Sequence, residues 1–145
     1  MSPKRPNGLL EEALTRSVIA AFYQVYQGLG FGFREYIYSR ALERVLVAGG
    51  HLVGREVPST VYYRGEAVAQ QVLDMIVDEK LVIEIKATEH LHPNASMQLF
   101  SYLSATRLEV GLLLHFGRKP KFHRVICENR LKRHLSARAP GPRSP

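Results

Sequence analysis

Two neighbouring apolar segments that also carry charged residues constrain the fold of this chain most strongly. Residues 73–77 read LDMIV, residues 81–86 read LVIEIK, and a polar stretch at 78–80 separates them. Apolar runs on both sides of a short polar turn predict an antiparallel β-hairpin. If the turn is centred on Glu79, the numbers of paired residues add up to 158, so Asp74 lies opposite Glu84.

The predicted hairpin brings two carboxylates together on one face. The Cβ atoms of opposed residues are about 5 Å apart, and at an effective dielectric constant near 20 two such charges repel by about 3 kcal/mol. Lys86 lies two residues beyond Glu84 on the same face and supplies one compensating positive charge. A divalent cation bound between the carboxylates would supply two.

The other residues of the hairpin are apolar on both faces. The face of Asp74 also carries Val72, Ile76 and Val82. The opposite face carries Leu73, Met75, Val77, Leu81, Ile83 and Ile85. A sheet covered on both sides predicts such strands, so the pattern favours a functional site over a solvated polar strand face.

The charged residues of this face have the chemistry of phosphodiester hydrolysis. Two carboxylates and the backbone carbonyl of Ile85 suit a hard, oxygen-binding cation such as Mg²⁺. A neighbouring ammonium group, here that of Lys86, can orient a water molecule and stabilise the charge that develops on phosphorus.

The rest of the chain predicts one α/β domain around this hairpin. Val18, Phe22, Val25 and Leu29 repeat at helical spacing and predict a first helix. Further helices are expected at residues 34–48 and 93–106, and strands at residues 52–63, 67–77, 81–87, 110–116 and 122–127. The order predicts a mixed sheet of about four or five strands with flanking helices.

Positive charge is concentrated at the two ends of the chain. The sequence has 20 Lys and Arg, 13 Asp and Glu, and a net charge of +7, yet residues 11–128 hold 13 of each sign. We therefore expect a basic tail at residues 1–7, a domain at residues 8–129, and a basic, disordered tail at residues 130–145. Such tails favour a polyanionic partner.

The remaining composition indicates a cytoplasmic protein that does not enter a membrane. There is one cysteine, and no charged-apolar-small signal segment opens the chain. The longest apolar run, residues 110–114, is far shorter than the roughly 20 residues of a spanning helix. Nothing in the sequence indicates an oligomeric state.

Four segments together resemble one family of nucleases. Asp74, followed by residues 84–86 (EIK), resembles the D…(D/E)-x-K signature of the PD-(D/E)XK nuclease superfamily, although Leu73 stands where Pro is usual. Residues 32–38 (GFREYIY) resemble the motif of the small bacterial GxxExxY proteins, a branch of that superfamily. Residues 98–102 (QLFSY) are similar to the Q-x-x-x-Y helix motif of RecB-like nucleases. Residues 111–117 (GLLLHFG) resemble the closing strand of the family, with His115 in place of Asn.

The resemblance implies a restriction-endonuclease-like core and hydrolysis of nucleic acid, with DNA favoured over RNA, assisted by Mg²⁺ or Mn²⁺. It implies that Asp74 and Glu84 bind the metal ion and that Lys86 is the catalytic lysine. Glu35 would reach the metal directly or through water. On its own, Glu35 is a first-turn carboxylate of a helix, which the helix dipole favours.

Four further residues carry weaker signals. The resemblance implies that Gln98 and Tyr102 position the substrate strand or the lysine, whereas alone such a pair more often packs at the margin of a core. His90 and His92 stand two apart in a polar loop and favour a loop or phosphate contact, because no third metal ligand is near them in the sequence.

Two other classes of function remain open at this point. The chain could keep the nuclease fold as a non-catalytic nucleic-acid-binding or adaptor module. The charged residues of the hairpin could also form only a structural ion pair. Metal-dependent cleavage and saturable metal binding distinguish the nuclease from both.

Overall fold

The structure, a computed structural model, describes residues 10–132. The helices are α1 (Glu12–Leu29), α2 (Glu35–Ala48) and α3 (Ala95–Ser104). The strands are β1 (Val53–Tyr63), β2 (Glu66–Val77), β3 (Leu81–Lys86), β4 (Val110–Phe116) and β5 (Pro120–Ile126), and a short 3-10 turn follows at Asn129–Leu131. The tail predicted at residues 1–7 lies outside the described residues.

The five strands form one mixed sheet in the order β1-β2-β3-β4-β5. All neighbours are antiparallel except β3 and β4, which are parallel. A parallel pair needs a crossover connection, and α3 provides it. All seven residues of β4 are buried, as expected for a strand covered on both faces. The predicted α/β architecture is confirmed.

The register predicted for the β2–β3 hairpin is confirmed. Met75 pairs with Ile83, Ile76 with Val82, and Val77 with Leu81, so each pair of numbers adds up to 158. The turn is made possible by positive φ angles of 54° at Asp78 and 57° at Glu79. The ladder ends at Met75 and Ile83, so the predicted pairing of Asp74 with Glu84 is not part of it; Asp74 instead contacts β3 through the backbone N–H of Ile85.

Two hydrophobic layers cover the sheet. Helices α1 and α2 pack on one face, where the inward residues of α1 and α2 meet those of β2, β3 and β4. Helix α3 packs on the other face through Ala95, Leu99 and Leu103. A Cβ atom at Gly111 of β4 would lie 2.9 Å from a methyl carbon of Leu99, so the glycine allows α3 to approach the sheet closely.

The predicted alternation of side chains fails at Asp74. Leu73, expected on the face of Met75, packs with Val82 on the α3 side, whereas Met75 packs against α1 and α2. Val72, expected to be covered, is 57% exposed. The prediction assumed a regular ladder, but backbone pairing of β2 with β3 ends at Met75.

Beyond this point β1 and β2 continue as a two-stranded arm. They pair with each other as far as Tyr63 and Glu66, with a positive φ at Arg64 and Gly65 in the turn. Residues of the arm such as Tyr62 and Val68 are more than half exposed, at 57% and 59%. The arm therefore projects from the end of the sheet at which Asp74 lies.

The last described residues pack against the domain. Lys132 is buried, and its ammonium donates hydrogen bonds to the carbonyls of Thr106 (2.9 Å) and Leu108 (2.6 Å). Contacts with the domain thus extend three residues into the segment predicted as a tail from residue 130; residues 133–145 lie outside the described residues. Within residues 10–132, no helix is long and apolar enough to cross a membrane.

Candidate active site

The site lies where β2 leaves β3. The carboxylate of Asp74 accepts a hydrogen bond of 2.8 Å from the backbone N–H of Ile85. Since a strand N–H normally bonds to a neighbouring carbonyl, the aspartate takes the place of a backbone partner at this position. On β3, the ammonium of Lys86 lies 3.5 Å from Oε1 of Glu84.

Glu35 reaches the site from α2, which packs with α1 on one face of the sheet. It is the first residue of α2, and its carboxylate accepts a hydrogen bond from the backbone N–H of Ala87, the residue after β3. The charges of Asp74 and Lys86 both act on it. The start of α2 therefore adds a third carboxylate whose charge acts on the pair Asp74 and Glu84, without forming a three-ligand group with them among residues 10–132.

The pKa values of all three carboxylates are raised, chiefly because the groups are partly removed from water. Burial raises the pKa of Glu84 to about 7, and the charge of Asp74 adds to this effect, while Lys86 opposes it. Burial also raises the pKa of Asp74, against the hydrogen bond from Ile85. Partial removal from water raises the pKa of Glu35, again with a contribution from Asp74. One ammonium does not neutralise this group.

Asp74 and Glu84 fit a hard divalent cation. The charge of Asp74 raises the pKa of the Glu84 carboxyl, and a cation bound between the two groups would offset this repulsion. Oε2 of Glu84 is buried and has no hydrogen-bond partner in the described part of the chain. All of these donors are oxygen atoms, as Mg²⁺ and Mn²⁺ prefer.

Further ligands to such a cation would not be side chains in this arrangement. Among residues 10–132, no three His, Cys, Asp or Glu side chains converge as a metal-binding group. The pair would be completed by the carbonyl of Ile85 and by water, and Mg²⁺ usually retains several waters. Glu35, which bonds to Ala87, would act on the metal through water.

Helix α3 brings Tyr102 to the site. Burial raises the pKa of its hydroxyl, and the charge of Glu84 raises it further, whereas Lys86 lowers it. Gln98 lies one turn earlier on α3 and is exposed, and its side chain makes no hydrogen bond to the described carboxylates. The structure thus joins Tyr102 to the carboxylates but leaves Gln98 at the edge.

Two histidines hold the loop after β3. His92 lies in the loop itself, and His115 lies on the neighbouring strand β4. Nδ1 of His92 accepts a hydrogen bond of 3.1 Å from the backbone N–H of Asn94, next to the start of α3. His115 is level with Lys86 in the sheet, and its Nε2 is 2.7 Å from the carbonyl oxygen of Thr88. Because a carbonyl only accepts, Nε2 carries the proton, and His115 fixes the chain that follows Lys86.

The contacts of Tyr38 were not predicted, although Tyr38 is the last residue of the motif at residues 32–38. The Tyr38 side chain is fully buried, and its ring stacks on Phe116 at 4.1 Å. Its hydroxyl donates to the carbonyl of Gly30 (2.5 Å) and accepts from the N–H of Phe33 (3.2 Å). A tyrosine at a core position, three residues after Glu35, is the signal that could have revealed this contact.

A mixed five-stranded sheet between helices, with two acids and a lysine on its central hairpin, defines a class of nuclease-like α/β domains. The family model of the PD-(D/E)XK nuclease superfamily matches residues 12–125. This chain therefore belongs to the PD-(D/E)XK nuclease superfamily.

The fold is similar to that of a solved structure. "Crystal structure of SSO0001" matches with a TM-score of 0.50 and 22% sequence identity, over 81% of this chain. The chain spans 60% of the length of that structure. At this identity the similarity concerns the fold alone. No curated protein matches the chain.

Proposed function

We propose that this protein is a divalent-metal-dependent nuclease that hydrolyses phosphodiester bonds in DNA. The observation that carries the proposal is the buried carboxylate of Glu84, which lies beside Asp74 and Lys86 with an unpartnered oxygen. Burying such a group is costly unless a positive charge balances it. A bound cation would remove this cost and explain why the fold keeps the pair.

Each residue of the proposed centre has one role. Asp74, Glu84 and the carbonyl of Ile85 would hold Mg²⁺ or Mn²⁺, and such an ion would supply positive charge for the scissile phosphate and lower the pKa of water. Lys86 is 27% exposed at its side chain and can orient the attacking water and stabilise charge on phosphorus. Water attacks phosphorus and releases one proton to solvent as the new P–O bond forms; the P–O bond to the leaving oxygen breaks, and that oxygen takes up one proton from solvent.

Three residues at the edge of this centre would support it. Glu35 holds a water from its fixed position against Ala87. Tyr102 and Gln98 lie on one face of α3, four residues apart, and would contact the substrate strand or Lys86.

The alternative of a structural ion pair agrees less well with the charges. A carboxylate held only for its ion pair should have a lowered pKa, because a neighbouring ammonium favours the charged form. Lys86 does lower the pKa of Glu84, but burial and Asp74 together raise it to about 7. The single lysine is thus insufficient, which favours a further cation.

The geometry also supports the assignment to the GxxExxY branch. Gly32 has a φ of 114°, which an L side chain rarely adopts. Glu35 reaches the carboxylate pair, and Tyr38 binds the loop before the helix through its hydroxyl. The glycine, the glutamate and the tyrosine of the motif therefore each have a separate role in forming the site.

A cleavage assay tests the proposal. Linear, nicked, branched and single-stranded DNA, with RNA for comparison, are incubated with the protein in Mg²⁺, Mn²⁺ or EDTA. We expect metal-dependent cleavage of DNA that falls by at least about 100-fold in Asp74→Asn and Lys86→Met, as for loss of groups that stabilise a transition state.

The turn of the same hairpin offers matched controls. Glu79→Gln and Lys80→Met remove the same charges at exposed positions and should cleave as the wild type does. Equal cleavage by wild type and Asp74→Asn contradicts the proposal. Metal-independent DNA binding without cleavage, unaffected by Asp74→Asn, supports a non-catalytic binding module instead.

A further inference from the structure

An exposed group of aromatic side chains lies in the segment before and at the start of α2. We call residues 30–36 the aromatic loop. Phe31 is 39% exposed, Phe33 is 42% exposed and Tyr36 is 53% exposed. Large rings in water cost free energy unless they have a ligand to contact, so three in one segment are a candidate binding surface.

The aromatic loop is held in one conformation. The Tyr38 hydroxyl bonds to the backbone of both Gly30 and Phe33, and the rings of Phe33 and Tyr38 meet edge to face at 6.1 Å. Gly30 and Gly32 have positive φ angles of 71° and 114°. A loop fixed by a fully buried tyrosine loses little conformational entropy when it binds a ligand.

Guanidinium groups accompany the exposed rings. The Arg118 guanidinium lies 5.4 Å from the ring centroid of Phe31 and also donates a 2.7 Å hydrogen bond to Glu89. The guanidinium of Arg40 lies 5.4 Å from the ring centroid of Tyr36. Rings combined with arginines are the surface on which proteins bind single-stranded nucleic acid, by stacking on bases and attraction to phosphates.

The aromatic loop continues directly into the candidate active site. Glu35 belongs to the loop as the first residue of α2. Tyr38, which holds the loop, stacks on Phe116 of β4, the strand paired with β3. A strand whose bases contact Phe31 and Phe33 therefore lies at the start of α2, where Glu35 stands. This continuity and the arginines favour nucleic acid over a protein as the ligand.

We propose that the aromatic loop binds unpaired bases of a single-stranded nucleic acid and thereby directs its backbone to the acidic site. The inference rests on the proposed nuclease function and names the form of its substrate. Bases in a duplex already stack on their neighbours, so rings such as Phe31 and Phe33 can stack only on unpaired bases.

Fluorescence anisotropy tests the proposal without any need for cleavage. A labelled oligothymidine and a labelled duplex of equal length are titrated with the full chain in EDTA. For Phe31→Ala and Phe33→Ala we expect the affinity for the single strand to fall by roughly 5- to 150-fold for each base that no longer stacks. Duplex affinity should stay nearly unchanged, and Phe31→Trp should preserve binding to the single strand.

Phe122→Ala is the matched control. Phe122 is 38% exposed, like Phe31, but it lies on β5 against Tyr23. Circular dichroism checks the fold, and Phe31→Leu keeps apolar volume without a ring face, so it should lose affinity as the alanine variant does.

Several results would overturn the proposal. They are a loss of affinity no larger than that of Phe122→Ala, an equal loss for the duplex, and full binding by Phe31→Leu. Failure of the wild type to bind either DNA would also overturn it and would point to a protein ligand. If Asp74→Asn abolishes cleavage while the phenylalanine variants bind normally, only the role of the aromatic loop is wrong.

Discussion

At the scale of single residues, Glu84 sets the response of the metal-free protein to pH. Its pKa is raised from 4.5 to about 7 in the folded state, chiefly by burial. The folded protein therefore keeps a proton that the unfolded chain releases between these pH values. The resulting stabilisation is fully present below pH 4.5 and is lost as the pH rises to about 7.

This linkage gives a measurable prediction. In EDTA, the free energy of unfolding of the wild type should fall relative to that of Glu84→Gln across this range, by up to about 3 kcal/mol, since one pKa unit corresponds to about 1.4 kcal/mol. Urea denaturation at several pH values measures the difference between the two proteins. A difference that is constant with pH, or that grows in favour of the wild type, would contradict the raised pKa.

Residues of the site differ in how far the sequence predicts them. Asp74, Glu84 and Lys86 follow from the spacing of one hairpin, because charged residues in apolar strands stand out. The hydrogen bond of Tyr38 to the aromatic loop does not, since a buried tyrosine in a helix is compatible with simple core packing. The same holds for His115, whose partner Thr88 lies 27 positions away in the sequence.

At the scale of secondary-structure elements, local pattern predicts type and order better than it predicts faces. The polar turn at residues 78–80 fixed the register of β2 and β3, which the structure confirms. The face predicted for Leu73 was wrong. The side chain of Asp74 bonds to the backbone N–H of Ile85, and the β2–β3 ladder ends beside it at Met75. The hydrophobic periodicity of the sequence does not reveal that a side chain has taken the place of a backbone hydrogen-bond partner.

The packing of α3 on β4 depends on Gly111. In Gly111→Ala the new Cβ would approach the side chain of Leu99 to 2.9 Å, and Leu99 is fully buried and cannot move into solvent. We expect a loss of stability of about 1–3 kcal/mol from overpacking and, because α3 carries Tyr102, reduced cleavage. Denaturant unfolding and the cleavage assay measure the two effects.

Paired substitution provides the control for this prediction. Gly111→Ala combined with Leu99→Ala relieves the close approach and should recover part of the stability that the glycine substitution removes, relative to Leu99→Ala alone. If Gly111→Ala alone is as stable as the wild type, the contact between Leu99 and position 111 does not limit how closely α3 packs on the sheet.

At the scale of the whole molecule, charge is divided between a nearly neutral domain and its ends. Residues 10–132 contain 15 of the 20 basic residues and all 13 acidic ones, a net charge of +2 out of +7. The other five positive charges lie in residues 1–9 and 133–145. The domain thus contributes the acidic centre, and the ends contribute most of the attraction to a phosphate backbone.

Removal of residues 133–145 should therefore weaken binding without abolishing chemistry. The deletion removes Arg133, Arg138 and Arg143. The slope of log affinity against log salt should decrease by about 0.7 for each single-strand phosphate that these arginines neutralise, and by about 0.9 for each duplex phosphate. Anisotropy titrations at several salt concentrations measure the slope. An unchanged slope would show that these arginines do not bind the substrate.

The central claim is that Asp74 and Glu84 form a metal centre, and calorimetric titration with Mn²⁺ tests it most directly. We predict saturable binding to the wild type, loss of that binding in Glu84→Gln, and normal binding in the matched variant Glu79→Gln. Absence of saturable binding to the wild type, or equal binding by Glu84→Gln, would contradict the account.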